Sequence, residues 1–264
     1  MDVLWENNIF IFGVLMNKSR LCLLLTAIFT CVIGIGQAKG SQLFLSQSQC
    51  LQIDVCRAGL PEHPEVLEAF DRLIQALDNE KVVESDYRKI LESVSFAAEK
   101  HRGQTRKNVE KPPYILHPLR VACHLVYMGN VIDRDVLVAA LLHDTIEDAE
   151  TTFEEISYQF GSRVACLVHE MSNDLSLPSH VQKEEQVLKA SYKSLEAALI
   201  MLADKLDNLS DLQVAPPAEW ERERIDRYFR HAKAVIDNLP SANGSLKASV
   251  DAMIINYWHY RDMP

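Results

Sequence analysis

Glycine is scarce in this chain, nine among 264 residues, and none falls into a dinucleotide fingerprint or a phosphate-cradling loop. Glycine-rich nucleotide sites are thereby excluded. Internal repeats and low-complexity tracts are missing as well, which excludes solenoids and propellers. Positive charge is also short: 27 Lys and Arg against 37 Asp and Glu give a net charge of −10. Bulk electrostatics therefore offer nothing to a nucleic acid or an anionic membrane. A phosphate-bearing substrate would need a local cationic patch or a metal. No segment reads convincingly as a strand, so the expected fold is all-α. With 48% hydrophobic residues, the chain can build one good-sized core and a small appendage at most.

What is present begins with a targeting pattern. Met16-Asn-Lys-Ser-Arg20 is a short basic region, Leu21 to Gly36 is an apolar run too short to span a bilayer comfortably, and Gly36 and Ala38 suit cleavage before Lys39. Residues 1–38 thus read as a signal peptide, residues 39–63 as a linker and residues 64–264 as the working domain. A second apolar run, Ile9 to Leu15, leaves Met1 and Met16 both open as the start. Use of the signal implies an exported protein, periplasmic or secreted, with no membrane contact after cleavage; otherwise the protein is cytoplasmic. Cys50 and Cys56 lie close enough for a local disulfide on export, whereas Cys123 and Cys166 sit in apolar helical patterns and read as buried free thiols.

Helical spacing is clear in Pro64 to Leu77, Val82 to Lys100, a segment opening at Ile115, Phe153 to Val168 interrupted at Gly161, Ser194 to Leu212, Trp220 to Asn238 and Leu246 to Tyr260. Between the second and third runs a cationic loop carries Arg102, Arg106 and Lys107, closed by Pro112 and Pro113, which forbid helix. In so acidic a chain these are the best candidates for a phosphate contact. Leu175 to Lys189 is polar and Pro-interrupted, as a mobile lid or surface loop would be.

Everything else is arranged around Val136 to Asp148. Seven unbroken apolar residues, Val136 to Leu142, run into His143, Asp144, Glu147 and Asp148. A segment buried all round that meets charges must pair them or give them to a metal. The i, i+4 spacings put all four groups on one broad helical face. A helix that simply surfaces at His143 is an equal reading of this stretch alone. Further along, Leu195, Leu199, Leu202, Leu206 and Leu209 form a core stripe with Asp204, Asn208 and Asp211 opposite; Ile200 and Ala203 beside Asp204 hint that this side is covered too. Two imidazoles and two carboxylates, His117, His143, Asp144 and Asp204, make a mixed N/O set suited to Mn, Fe, Zn or Co, with Glu147 and Asp148 one turn on to accept or orient a proton.

Several strings in order carry a resemblance: Ala97-Ala-Glu-Lys-His-Arg-Gly-Gln-Thr-Arg-Lys107, Pro113-Tyr-Ile-Leu-His-Pro118, Ala139-Ala-Leu-Leu-His-Asp-Thr-Ile-Glu-Asp148, Phe160-Gly161 and Leu202-Ala-Asp-Lys-Leu-Asp-Asn-Leu209. They resemble the HD-domain metal phosphohydrolases. More closely, they are similar to the (p)ppGpp hydrolase domain of the RelA/SpoT family and its small stand-alone members. The resemblance covers Val82 to the C-terminus. It implies an HD-domain helical bundle and metal ligands His117, His143, Asp144 and Asp204. It further implies one divalent metal, usually Mn²⁺ with Zn²⁺ or Fe²⁺ as alternatives, and the catalytic acids Glu147 and Asp148. Arg106, Lys107 and Asn208 would be the nucleotide contacts. The implied reaction is hydrolysis of the 3′-pyrophosphate of ppGpp or pppGpp. The chain departs from the family at Asp207 and Ser210, where His or Tyr and Arg are common. The resemblance to the stand-alone members also allows a phosphatase on NADPH or another phosphorylated nucleotide, and a nucleotide-binding effector without turnover is the remaining alternative.

Overall fold

The structure, a computed structural model, describes residues 46–261; the expected signal segment, residues 1–38, lies outside the described residues. Among the described residues there are twelve α-helices, a single 3₁₀ turn and no strand beyond an isolated bridge between Thr105 and Pro113. None of these helices is long and apolar enough to cross a membrane. The expected all-α architecture is therefore observed.

The segment read as a linker contains the first helix, α1 (Gln47–Gly59). Ser46 starts it with a capping box: its Oγ accepts from the Gln49 N–H at 3.2 Å, and its own N–H donates to Gln49 Oε1 at 2.8 Å. Cys56 and Leu60 are buried against α3 (Glu84–Lys100), which explains why a mostly polar segment is ordered. Cys50 is exposed and Cys56 donates its thiol to the Leu91 carbonyl; both are free. Six residues of helix turn through about 600°, which sets the two sulfurs on different faces and corrects the expected disulfide. Cys123 is buried as expected, but Cys166 is exposed.

The core lies between α2 (Pro64–Asn79), α3, α4 (Leu116–Tyr127), α5 (Arg134–Leu142) and α10 (Leu195–Val214). α4 packs against α2, α5 and α10, so its first turn reaches the centre of the molecule. All seven residues from Val136 to Leu142 in α5 are buried, as a run without a polar side requires. α5 stops at Leu142 rather than running on through Asp148. His143 Nδ1 donates to the Ala140 carbonyl at 2.7 Å and Thr145 Oγ1 to that of Leu142 at 2.8 Å. These side chains satisfy carbonyls that a helix end leaves free, and the chain resumes as the single turn α6 (Thr145–Asp148).

Gly161, at φ 97°, separates α7 (Phe153–Phe160) from α8 (Ser162–Met171), a conformation that few residues besides glycine tolerate. The stretch expected to be a lid or loop holds α9 (Ser179–Lys189), a helix with no buried residue, followed by the 3₁₀ turn Ala190–Tyr192. α11 (Arg222–Asn238) and α12 (Gly244–Tyr260) close the bundle. In α10 the leucine stripe holds at Leu202, Leu206 and Leu209, while Leu195 is exposed. Asp204, Lys205 and Asp207 on the remaining sides are buried as well, so α10 is enclosed all round at its middle.

Candidate metal centre and nucleotide cleft

His117 in the first turn of α4, His143 and Asp144 at the junction of α5 and α6, and Asp204 midway along α10 meet at one corner of the core. His117 Nε2 lies 3.2 Å from His143 Nε2, 3.2 Å from Asp204 Oδ1 and 3.6 Å from Asp144 Oδ2. His143 Nε2 is 3.1 Å from Asp144 Oδ2 and 3.7 Å from Asp204 Oδ1. Among the described residues, His117, His143 and Asp204 bring one ligand atom each close enough together to share an ion, and Asp144 Oδ2 lies against both imidazoles as a fourth.

The donor set fits a cation on its own chemistry. Each imidazole has its Nδ1 engaged elsewhere, His117 with Asp207 Oδ2 at 2.7 Å and His143 with the Ala140 carbonyl. In neutral rings both Nε2 atoms then present lone pairs to each other and to two carboxylates, an arrangement only positive charge can reconcile. Burial pushes both imidazoles down, but the carboxylates more than reverse this: Asp144 and Asp204 lift His143 well above its ordinary value, and Asp204 and Asp207 lift His117. Burial would raise the carboxyls of Asp144 and Asp204; the two histidines hold Asp144 low, and Lys205 together with the histidines holds Asp204 low.

The surrounding bonds fix the ligands in place. Lys205 Nζ sits 3.1 Å from Asp204 Oδ2, and Asn208 Nδ2 donates to Asp204 Oδ1 at 2.5 Å. Tyr114 donates its hydroxyl to Asp144 Oδ2 at 2.6 Å and lies 3.2 Å from Asp148 Oδ2. Asp207, one of the two positions where the chain departs from the family pattern, is almost fully buried behind His117 and orients its ring. Sequence reasoning missed Asp207 and Tyr114 as supports, because both act across separations of 90 and 30 residues that no local spacing announces.

The two acids of α6 face different surroundings. Glu147 is half-buried and accepts from the backbone N–H of Asn173 at 2.6 Å, whereas Asp148 is exposed and lines a cleft. Burial raises the carboxyl of both; Asn173 pulls Glu147 back, and Asp144 raises Asp148 further.

That cleft, about 480 Å³, is lined by Arg106, Lys107, Tyr114, Asn208, Trp220 and Tyr228 among others. Arg106 is nearly buried in its wall: its Nε donates to Asp211 Oδ2 at 3.0 Å and its Nη2 to Asn208 Oδ1 at 2.7 Å. Lys107 is exposed and makes no hydrogen bond or ion pair among the described residues, so its ammonium is available to an anion. Arg102, the third cation of the loop, pairs with Glu99 at the surface and does not line the cleft.

An all-helical bundle with a His/His-Asp/Asp corner defines a class, and the HD domain family model matches residues 93–231 of the sequence. The chain belongs to the HD-domain family. Among its relatives is the guanosine-3′,5′-bis(diphosphate) 3′-pyrophosphohydrolase MESH1 of Xenopus tropicalis, 46% identical over 172 residues, spanning 65% of this chain and 96% of that protein. The human MESH1 protein is 43% identical over 166 residues, spanning 63% and 93%. A solved structure of a metazoan orthologue of SpoT, described as hydrolysing ppGpp, matches with a TM-score of 0.62 at 41% identity over 67% of this chain and 97% of that one. The protein is a hydrolase of this group.

Proposed function

We propose that the protein hydrolyses the 3′-pyrophosphate of ppGpp and pppGpp, giving GDP or GTP and pyrophosphate. The observation that carries the reading is the convergence of two histidine Nε2 atoms and two aspartate oxygens beside a cleft with one free lysine. His117, His143, Asp144 and Asp204 would hold one divalent ion, with Mn²⁺ the ion proposed. When bound, such an ion supplies Lewis acidity, lowering the pKa of a water and polarising a phosphoryl oxygen. Lys107 offsets phosphate charge at the mouth of the cleft, and Arg106 keeps Asn208 and Asp211 in place beneath it. Trp220 and Tyr228 offer the nucleoside an apolar wall. The water oxygen joins phosphorus, the bond from phosphorus to the 3′ oxygen breaks, and Glu147 and Asp148 handle the proton lost by water and the one gained by that oxygen.

The test is pyrophosphate release from ppGpp by protein loaded with Mn²⁺, with NADPH as a competing substrate and metal analysis of the purified protein alongside. Turnover of ppGpp with one bound ion per chain is expected; phosphate release from NADPH in its place would move the assignment to the 2′-phosphate. Export rests on the sequence pattern alone, and the check is a mature N-terminus at Lys39.

A further inference from the structure

We propose that Asn173, Gln186 and His231 form a one-way hydrogen-bond relay that positions Glu147 as an ionised carboxylate, making it the proton acceptor of the pair and leaving the other role to Asp148. The inference rests on the hydrolase reading above and deepens it. Asn173 follows α8, Gln186 lies on α9 and His231 on α11, so none shares a helix with a metal ligand.

The contacts run in a single direction. His231 Nε2–H donates to Gln186 Oε1 at 2.9 Å, and Gln186 Nε2–H donates to Asn173 Oδ1 at 2.9 Å. Asn173 then gives its backbone N–H to Glu147 Oε1 at 2.6 Å, and its Nδ2 group reaches Oε1 at 3.0 Å and Oε2 at 3.1 Å. Turning either amide round would bring acceptor against acceptor at one end and donor against donor at the other. Burial, Lys205 and Lys183 lower His231 to about 4, so its ring is neutral at pH 7, and the Gln186 Oε1 it faces selects the Nε2–H tautomer as the donor. The relay therefore ends on a group that meets only donors, and a carboxylate is the acceptor-only form. Oε2 keeps a lone pair for a proton from water. Asp148 has no comparable chain: it is exposed, and among the described side chains its carboxylate has only the Tyr114 hydroxyl at 3.2 Å, which already donates to Asp144.

Position makes the relay separable from substrate binding. Asn173 and Gln186 line a second cavity of about 850 Å³ that shares no lining residue with the nucleotide cleft. Gln186 is thus a positioning residue and touches nothing that reacts. It also gives the exposed helix α9 a hydrogen-bonded tie both to α11 and to the turn that holds Glu147.

The experiment measures kcat and KM of the metal-loaded full chain, with bound metal counted, on whichever nucleotide of the ppGpp and NADPH panel the wild type turns over. Gln186→Leu and His231→Phe are each expected to lower kcat about tenfold, with KM within about twofold and metal content unchanged. His231→Gln, which retains an N–H donor, is expected to restore most of kcat. In a Glu147→Gln background, Gln186→Leu is expected to add nothing further. An intact kcat, a change confined to KM, loss of metal, or an additive effect in that background each overturns the relay. Absence of turnover on the whole panel would sink the functional reading instead. The relay then stands or falls on urea unfolding, where Gln186→Leu and Glu147→Gln must be non-additive in midpoint and additivity overturns it.

Discussion

The candidate metal corner and the cleft beside it touch each other, yet they are held by different means. At the corner, His117 and His143 are 1% and 3% exposed and each ring has a second buried partner, so ligand positions follow from core packing. In the cleft, Lys107 stands free at the surface and Arg106 is held by side chains about a hundred residues away. The contrast teaches that the candidate ligands are preorganised by the same contacts that fold the chain, while of the two cleft cations folding fixes Arg106 and leaves Lys107 scarcely constrained.

The sharpest way to break this contrast is at the corner. Asp144→Ala, or removal of metal by chelation, is expected to reduce hydrolysis to background, with metal analysis showing the loss of the ion in both cases. A variant that keeps activity and metal would dissolve the corner as a site. A smaller effect is expected behind it. Asp207→Asn keeps the volume but weakens the hold on His117 Nδ1, and metal affinity should fall about 10- to 100-fold by titration calorimetry. In the cleft, Lys107→Ala should raise KM about tenfold and leave kcat and metal affinity near wild type. A drop in kcat or in metal content would show that cleft and corner are not independent.

The gentlest test is pH. Both imidazoles have folded-state values raised above the ordinary 6.5 by their carboxylate neighbours. Their contribution to metal-free stability is therefore complete below about pH 6.5 and is lost as pH rises through the raised values. Asp144 and Asp204 are held low and stay ionised throughout that window. Metal-free protein should melt at progressively lower temperature above pH 6.5, and the stabilisation gained from added Mn²⁺ should grow over the same range. Melting temperatures that rise with pH in the absence of metal would contradict the charge balance argued for the corner.

How far the sequence disclosed this molecule follows the same divide. Burial of Val136 to Leu142 was legible because an apolar run without a polar side has few physical outcomes, whereas His117 and Asp204 stood out only through the ordered ligand set and the family resemblance. The stop after Leu142 was not legible, since neither Gly nor Pro marks it and the terminating bonds come from His143 and Thr145 themselves. α1 was taken for linker because its buried anchors, Cys56 and Leu60, are few and its remaining residues polar. α9 gave no periodicity because no residue in it is buried. Arg106 read as a cation for phosphate, and its pairing with Asp211, 105 positions on, lay beyond any local pattern. Asn173, Gln186 and His231 carry no motif at all.

The place where α5 ends has one more consequence. Aligned peptide groups leave roughly half an elementary negative charge at a helix's carboxyl terminus, and His143 is the cap of that terminus. An ion gripped by His143 and Asp144 would lie in this macrodipole field as well as among side chains. Because α5 is buried from Val136 to Leu142, the part that runs into His143, water does little to screen that attraction, and the apolar sequence of the helix becomes part of the electrostatics of the site it supports.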